Sequence, residues 1–191
     1  MSNQNNIKNE NNNYKNDEPI SCKVIIVGDS GVGKTSIISQ YLNKYNPQEK
    51  NTIGASFSNK IEIVDNYQIK FDVWDTAGQE RFHSVNKIFY NEAYICLLVY
   101  DRTNNESFIH VKNYWYNTVK ESSIDGIIFA LAGNKSDLLE NEKVNPKDVS
   151  EFCQSINAIH KLTSAKKNTA IADLFDLLGK QFLESRFFKI I

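Results

Sequence analysis

A stretch of eight residues, GDSGVGKT at positions 28 to 35, constrains this chain more than any other. Gly28, Gly33, Lys34 and Thr35 satisfy the spacing G-x-x-x-x-G-K-[ST], directly behind the apolar run VIIV and ahead of residues at helical spacing. Glycine lets consecutive backbone N–H groups turn inward, so a strand that ends in such a loop and restarts as a helix makes a cradle for an anion. The groups of Ser30, Gly31, Val32, Gly33, Lys34, Thr35 and Ser36 are expected to line it. Lys34 is placed to neutralise β- and γ-phosphates, Thr35 to offer a hydroxyl to Mg²⁺, and the helix N-terminus to add a favourable partial charge. A bound phosphate names neither the base nor the reaction, because ATP-driven enzymes use the same loop.

The remainder of the 191 residues must supply one scaffold that carries this loop, since the length suits a single domain. Residues 1 to 18 hold eight asparagines and almost nothing apolar, and are expected to form a disordered tail. From Cys22 the run CKVIIVG reads as a strand buried on both faces, and Ile37, Ile38, Tyr41 and Leu42 then keep helical spacing ahead of Pro47. SFSNKIEIV and QIKFDVWD, joined at Asp65 and Asn66, read as an antiparallel hairpin. Ile61 and Ile63 are expected on the apolar face of its first strand, Ile69, Phe71 and Val73 on that of its second, with Trp74 pointing the other way. YICLLVYD and IIFALAGNKSD are further buried strands, separated by a helix carrying Phe108, Val111, Trp115 and Val119. NPKDVSEFC opens a helix with Pro146 in its first turn, AIHKLTSA holds a short strand, and Ile171, Leu174, Phe175, Leu178 and Phe182 stripe a last helix. This alternation predicts an α/β fold: a six-stranded, mostly parallel sheet with one antiparallel edge strand and helices on both faces. Ligands of such sheets sit at the carboxyl ends of the strands.

Composition narrows the function. A formal charge of −1, with only Arg81, Arg102 and Arg186 as arginines, gives no footprint for nucleic acid. Cys22, Cys96 and Cys153 follow no metal-ligand spacing and suit reduced thiols in a cytosolic compartment. No stretch suits a signal peptide or is long enough to span a bilayer, so a soluble cytoplasmic protein is expected. His83 and His110 are expected as surface or packing residues, and His160 within a strand.

The base is decided by NKSD at 134 to 137, at the end of a predicted strand. The Asp137 carboxylate can accept from the ring N1–H and exocyclic amine of guanine. Adenine has an unprotonated N1 there and would leave the charge unpaired, at a cost on the order of 3–5 kcal/mol once buried.

GDSGVGKT, NTIGASF (51 to 57), WDTAGQE (74 to 80), NKSD and TSAK (163 to 166) stand in the order and approximate spacing of one family. The chain resembles a Ras-like small GTPase, and within that superfamily a Rab, over nearly all of residues 20 to 185; TIGASF leans toward the early-endosomal branch. The resemblance implies a small-GTPase domain over 19–188 that binds GTP, GDP and Mg²⁺. It implies that Thr52 gives its hydroxyl to Mg²⁺ and its N–H to the γ-phosphate, that Asp75 holds Mg²⁺ through water, that Gly78 donates its N–H to the γ-phosphate, and that Gln79 is the catalytic residue orienting the attacking water. Asn134, Lys135, Asp137, Ser164, Ala165 and Lys166 become base-binding residues. Lys135 covers the base plane, Ala165 reaches guanine O6, and Tyr45 stacks near the base from the other side. The two switch segments, held by the γ-phosphate and released when it leaves, would be read by an exchange factor, a GTPase-activating protein and effectors. With no arginine in the first switch, intrinsic turnover is expected near that of Ras, on the order of 10⁻⁴ s⁻¹, with a partner raising it by up to roughly 10⁵-fold.

Phe57, Trp74 and Phe89 match the aromatic triad through which Rabs engage effectors; the parity that Phe57 shares with Ile61 and Ile63 leaves core packing as its alternative. Unlike Rabs that end in prenylated cysteines, this sequence has its last cysteine at 153 and ends RFFKII at 186 to 191. With the prenylated tail absent after 188, two readings stay open: a truncated chain, or a partner-recruited member whose contact with endosomal or other vesicle membranes is indirect. The sequence thus predicts a monomeric, slowly hydrolysing GTP switch in vesicle trafficking. Its rivals are a nucleotide-bound adaptor that does not cycle and a P-loop small-molecule kinase, for which the scattered arginines leave no lid.

Overall fold

Runs of apolar residues too long to leave a face for water build the centre of the sheet. In the computed structural model, which describes residues 14–48, 52, 54–78 and 88–187, β1 (Ile20–Val27), β4 (Ile95–Asp101) and β5 (Ile128–Asn134) are covered on both sides. With β2 (Ala55–Val64), β3 (Tyr67–Thr76) and β6 (Ile159–Leu162) they form one six-stranded sheet in the order β2-β3-β1-β4-β5-β6. Only the β2–β3 pair is antiparallel, so the expected edge strand is β2.

Alternate residues of the parallel strands feed two cores. Val24, Ile26, Leu97 and Val99 meet α1 (Lys34–Tyr41) and α5 (Ile171–Phe187). Ile25, Val27, Cys96 and Leu98 meet the opposite layer. That layer is α2 (Asn105–His110), a π turn (Val111–Trp115) and α3 (Tyr116–Ser122), followed along the chain by α4 (Pro146–Ser155). Phe108, Val111, Trp115 and Val119 are all buried, as their spacing predicts. Pro146 holds the first turn of α4 and Asn145 caps it. All three cysteines are free and buried.

Gly179 shows how closely α5 approaches the sheet. A Cβ there would lie 2.8 Å from Val64 Cγ2 and 3.3 Å from Ile69 Cδ1 and Phe71 Cζ. Replacing a helical glycine by alanine gains about 1 kcal/mol in propensity, but overpacking against a stiff β-branched neighbour costs about 1–3 kcal/mol. Gly179→Ala is therefore expected to lower the unfolding free energy by about 1 kcal/mol in urea titration. Propensity alone would raise it.

Two expectations need correction. Ile61 and Ile63 do not face the core: each is 52% exposed, and Phe57 beside them is 48% exposed. The turn at Asp65 and Asn66, both with positive φ, pairs Val64 with Tyr67 and so sets Ile61 opposite Lys70 and Ile63 opposite Gln68. Ile69 and Phe71 instead pair with Glu62 and Lys60. At this edge the inner face is closed by a lysine stem, with Lys60 Nζ 4.4 Å from the Tyr41 ring centroid and 2.7 Å from Glu62.

The second correction concerns the tail, expected to run to residue 18. Lys15 and Asn16 lie against the hairpin, where the Asn16 carboxamide mimics a strand residue. Its Oδ1 accepts from Gln68 N at 2.8 Å while its Nδ2 donates to Gln68 O at 3.0 Å. Lys15 N adds a bond to Asn66 O. Side-chain amides can replace a backbone partner, which composition alone does not reveal.

Candidate functional site

The carboxyl ends of β1, β3, β4, β5 and β6 open on one edge, and the glycine loop lies across it. Gly28 and Gly33 both adopt positive φ, at 145° and 99°. A Cβ on Gly28 would meet Val99 O at 2.2 Å, and one on Gly33 would meet Asn134 Nδ2 at 2.2 Å, so neither position admits another residue. The Lys34 ammonium is buried and donates to Gly28 O at 2.7 Å and Asp29 O at 2.8 Å. Burial pushes its pKa down to about 8, against the opposing pull of Asp75 and Asp29. A phosphate in the cradle would supply the counter-charge that this buried ammonium calls for.

Beside it, three oxygen-bearing side chains from separate elements converge. Thr35 Oγ1 donates to Asp75 Oδ2 at 2.6 Å, Thr52 Oγ1 donates to the same oxygen at 3.1 Å, and the two hydroxyls lie 2.8 Å apart. Two hydroxyls and a carboxylate are hard donors of the kind Mg²⁺ takes, so this set fits the ion. Gly78 is pressed against the loop: a Cβ on it would lie 2.5 Å from the Asp29 carbonyl carbon, Gly28 O and Lys34 Nζ. Gln79 lies outside the described residues, as does His83.

At the other end a cleft of about 220 Å³ is lined by Gly31, Gly33, Ser36, Tyr45, Asn134, Lys135, Asp137, Leu138, Ala165 and Lys166. Asn134, Lys135, Asp137, Ala165 and Lys166 thus share a cleft with Gly31 and Gly33 of the glycine loop, and Tyr45 lines it as well. Asn134 is the knot: its Nδ2 donates to Val32 O at 2.9 Å, and its Oδ1 accepts from Thr163 Oγ1 and Ala165 N, each at 3.3 Å. Ser164 Oγ donates to Asp137 Oδ1 at 2.6 Å, which fixes the carboxyl and leaves most of its lone pairs for a ligand.

The Ras family model matches residues 23–184 of this chain. The chain is a Ras-family small GTPase. The Ras-related protein Rab-21 of Geodia cydonium is 37% identical over 167 residues, covering 87% of this chain and 72% of the relative. The Ras-related protein Rab-31 of Mus musculus is 41% identical over 160 residues, covering 83% and 82%. Family membership carries guanine-nucleotide binding and GTPase activity in general, and the Rab relatives make this a Rab-like member.

The GTPase also holds residues that sequence reasoning missed. Asp101 ends β4 on the ligand edge, where its Oδ2 accepts from Lys135 Nζ at 2.6 Å and its Oδ1 from Thr103 at 2.8 Å. Burial pushes its pKa up, but the bonds from Lys135 and Thr103 outweigh that and hold it below the usual carboxylate range. Lys135, at φ 62°, is thereby kept over the cleft. A charged residue closing an otherwise apolar strand at the ligand edge was the available signal. His110, expected as a surface or packing residue, is exposed and also meets Asp29 Oδ2 at 2.8 Å. His160 sits in β6, where burial and the nearby Arg102 lower its pKa. Phe57, Trp74 and Phe89 form a contiguous set, with ring centroids 5.1 Å and 5.0 Å apart. The exposure of Phe57 removes core packing as its alternative. Among the described residues no helix is long and apolar enough to cross a membrane.

Proposed function

We propose that this GTPase is a Rab-type switch in vesicle trafficking, with an endosomal compartment as the reading that TIGASF supports. Ser30 to Ser36 hold the phosphates, Asn134, Asp137, Ser164, Ala165 and Lys166 the guanine, and Lys135 and Tyr45 its two faces. Thr35, Thr52 and Asp75 would hold Mg²⁺, which supplies charge neutralisation at the β- and γ-phosphates when bound. Thr52 and Gly78 meet the γ-phosphate, Gln79 orients water, and a GTPase-activating partner accelerates the step. An exchange factor and effectors read the switches together with Phe57, Trp74 and Phe89, and bring the protein to the cytoplasmic side of vesicle membranes as a peripheral component.

One observation carries this reading. Asn134 and Asp137 share one cleft with Gly31 and Gly33 of the glycine loop, and the same loop continues through Lys34 into Thr35, which meets Thr52 and Asp75 in the hard-oxygen set; a guanine nucleotide with its phosphates requires both along one loop. Protein loaded with GTP and Mg²⁺ is expected to convert it once to GDP and phosphate, at a rate on the order of 10⁻⁴ s⁻¹, with excess ATP failing to displace it. Equal displacement by ATP and GTP would end the guanine assignment, and GTP left intact would favour the adaptor.

A further inference from the structure

Asp29, the second residue of the phosphate loop, is fastened to a helix more than eighty residues away. Its Oδ1 accepts from the Trp115 indole N–H at 2.8 Å, and its Oδ2 lies 2.8 Å from His110 Nδ1, which must carry the proton because a carboxylate accepts. His110 and Trp115 are five residues apart. On a regular α-helix that separation turns side chains about 140° away from each other, too far to share one small ligand. Here the intervening residues are wound as a π turn, in which Tyr116 N donates to Val111 O across five residues. Such a turn brings each residue back over the one five before it, and both donors reach one carboxylate. Single π turns inside α-helices concentrate at functional sites.

The backbone of Asp29 touches the proposed chemistry on its other side. Its carbonyl oxygen accepts from Lys34 Nζ at 2.8 Å, and its carbonyl carbon faces Gly78 so closely that a Cβ there would stand 2.5 Å away. The carboxylate is held by the helix while the peptide group shapes the cradle. We propose that Asp29, gripped by Trp115 and His110 across the π turn, is a positioning residue that keeps the loop closed on the nucleotide phosphates and so sets nucleotide residence time. This rests on the reading of the loop as a nucleotide site. His110 is 57% exposed, so the grip is open to a partner at the surface of the helix.

The test measures dissociation of a fluorescent GDP analogue from the full chain in excess Mg²⁺, with thermal midpoints alongside. Trp115→Phe keeps a ring in the core but loses the N–H, and His110→Ala removes an exposed side chain whose loss leaves the fold intact. Each is expected to speed release by roughly tenfold, the scale of a hydrogen bond to a charged group. Asp29→Ala should speed it at least as much, and Trp115→Phe added to Asp29→Ala should change nothing further. His110→Asn, whose amide can replace Nδ1–H, should restore the wild-type rate. Release from His110→Ala within twofold of wild type overturns the proposal, as does a full additive effect of Trp115→Phe on Asp29→Ala. Wild-type protein that retains no GDP analogue would instead overturn the nucleotide reading, and this inference with it.

Discussion

Asp137→Asn is expected to turn a guanine site into a xanthine site. The carboxylate of Asp137 accepts one bond from Ser164 Oγ at 2.6 Å and lines the cleft with its remaining lone pairs. Guanine offers two donors on its Watson–Crick edge, N1–H and the 2-amino group, and both point to acceptors only. Asparagine keeps one acceptor and presents one donor, so guanine's amine meets an N–H while xanthine, with an oxygen at that position, is matched. Losing a hydrogen bond to a charged group and setting two donors against each other costs about 3 kcal/mol, which is roughly 10²-fold in affinity. Competition of GDP and XDP against a fluorescent guanine nucleotide on wild type, and against a fluorescent xanthine nucleotide on the variant, reads the inversion. A variant that still prefers GDP to XDP would show that Asp137 does not read the base. An unchanged thermal midpoint would show that the loss is recognition and not unfolding.

What could be seen in the sequence follows from which signals are local. The glycine loop, the buried strand runs and NKSD each depend on residues adjacent in the chain, and the structure brings all of them to one edge. The faces of the β2–β3 hairpin were harder. Parity groups Phe57, Ile61 and Ile63 correctly, but which face is buried depends on the turn register and on what α1 and α5 cover, and at the sheet edge those helices meet Lys60 and Glu62 instead. Apolar residues on an edge strand are as compatible with a partner as with a core. Asn16 sits in a composition that predicts disorder, and its bonds to Gln68, 52 residues away, give it a place. Asp29 and Asp101 escaped because a helix layer and a neighbouring loop, both distant in sequence, decide their roles. The π turn leaves no trace in the hydrophobic spacing, since positions 108, 111, 115 and 119 remain buried.

Gly78→Ala is expected to separate nucleotide binding from hydrolysis. A Cβ there would stand 2.5 Å from Gly28 O, the Asp29 carbonyl carbon and Lys34 Nζ. The lysine end can move aside, but the two backbone atoms belong to a loop pinned through Asn134 to Val32 O and through Asp29 to Trp115. The segment carrying Gly78 must therefore lift off the loop, and its N–H loses the place from which it would meet a γ-phosphate. The proposed base contacts, Asn134 and Asp137, line a cleft to which Gly78 does not contribute, so GDP release should stay within about threefold of wild type. Losing one preorganised N–H donor to the reacting group costs about 10²–10³-fold in rate, and single-turnover conversion of bound GTP should slow by about that factor. Gly179→Ala, which also adds a methyl to a tight contact but far from the cleft, serves as the comparison that loses stability and keeps hydrolysis. If Gly78→Ala hydrolyses GTP at the wild-type rate, the segment is not required against the phosphate loop. If it releases GDP tenfold faster, the methyl has deformed the loop itself, and the two functions are not separable at this residue.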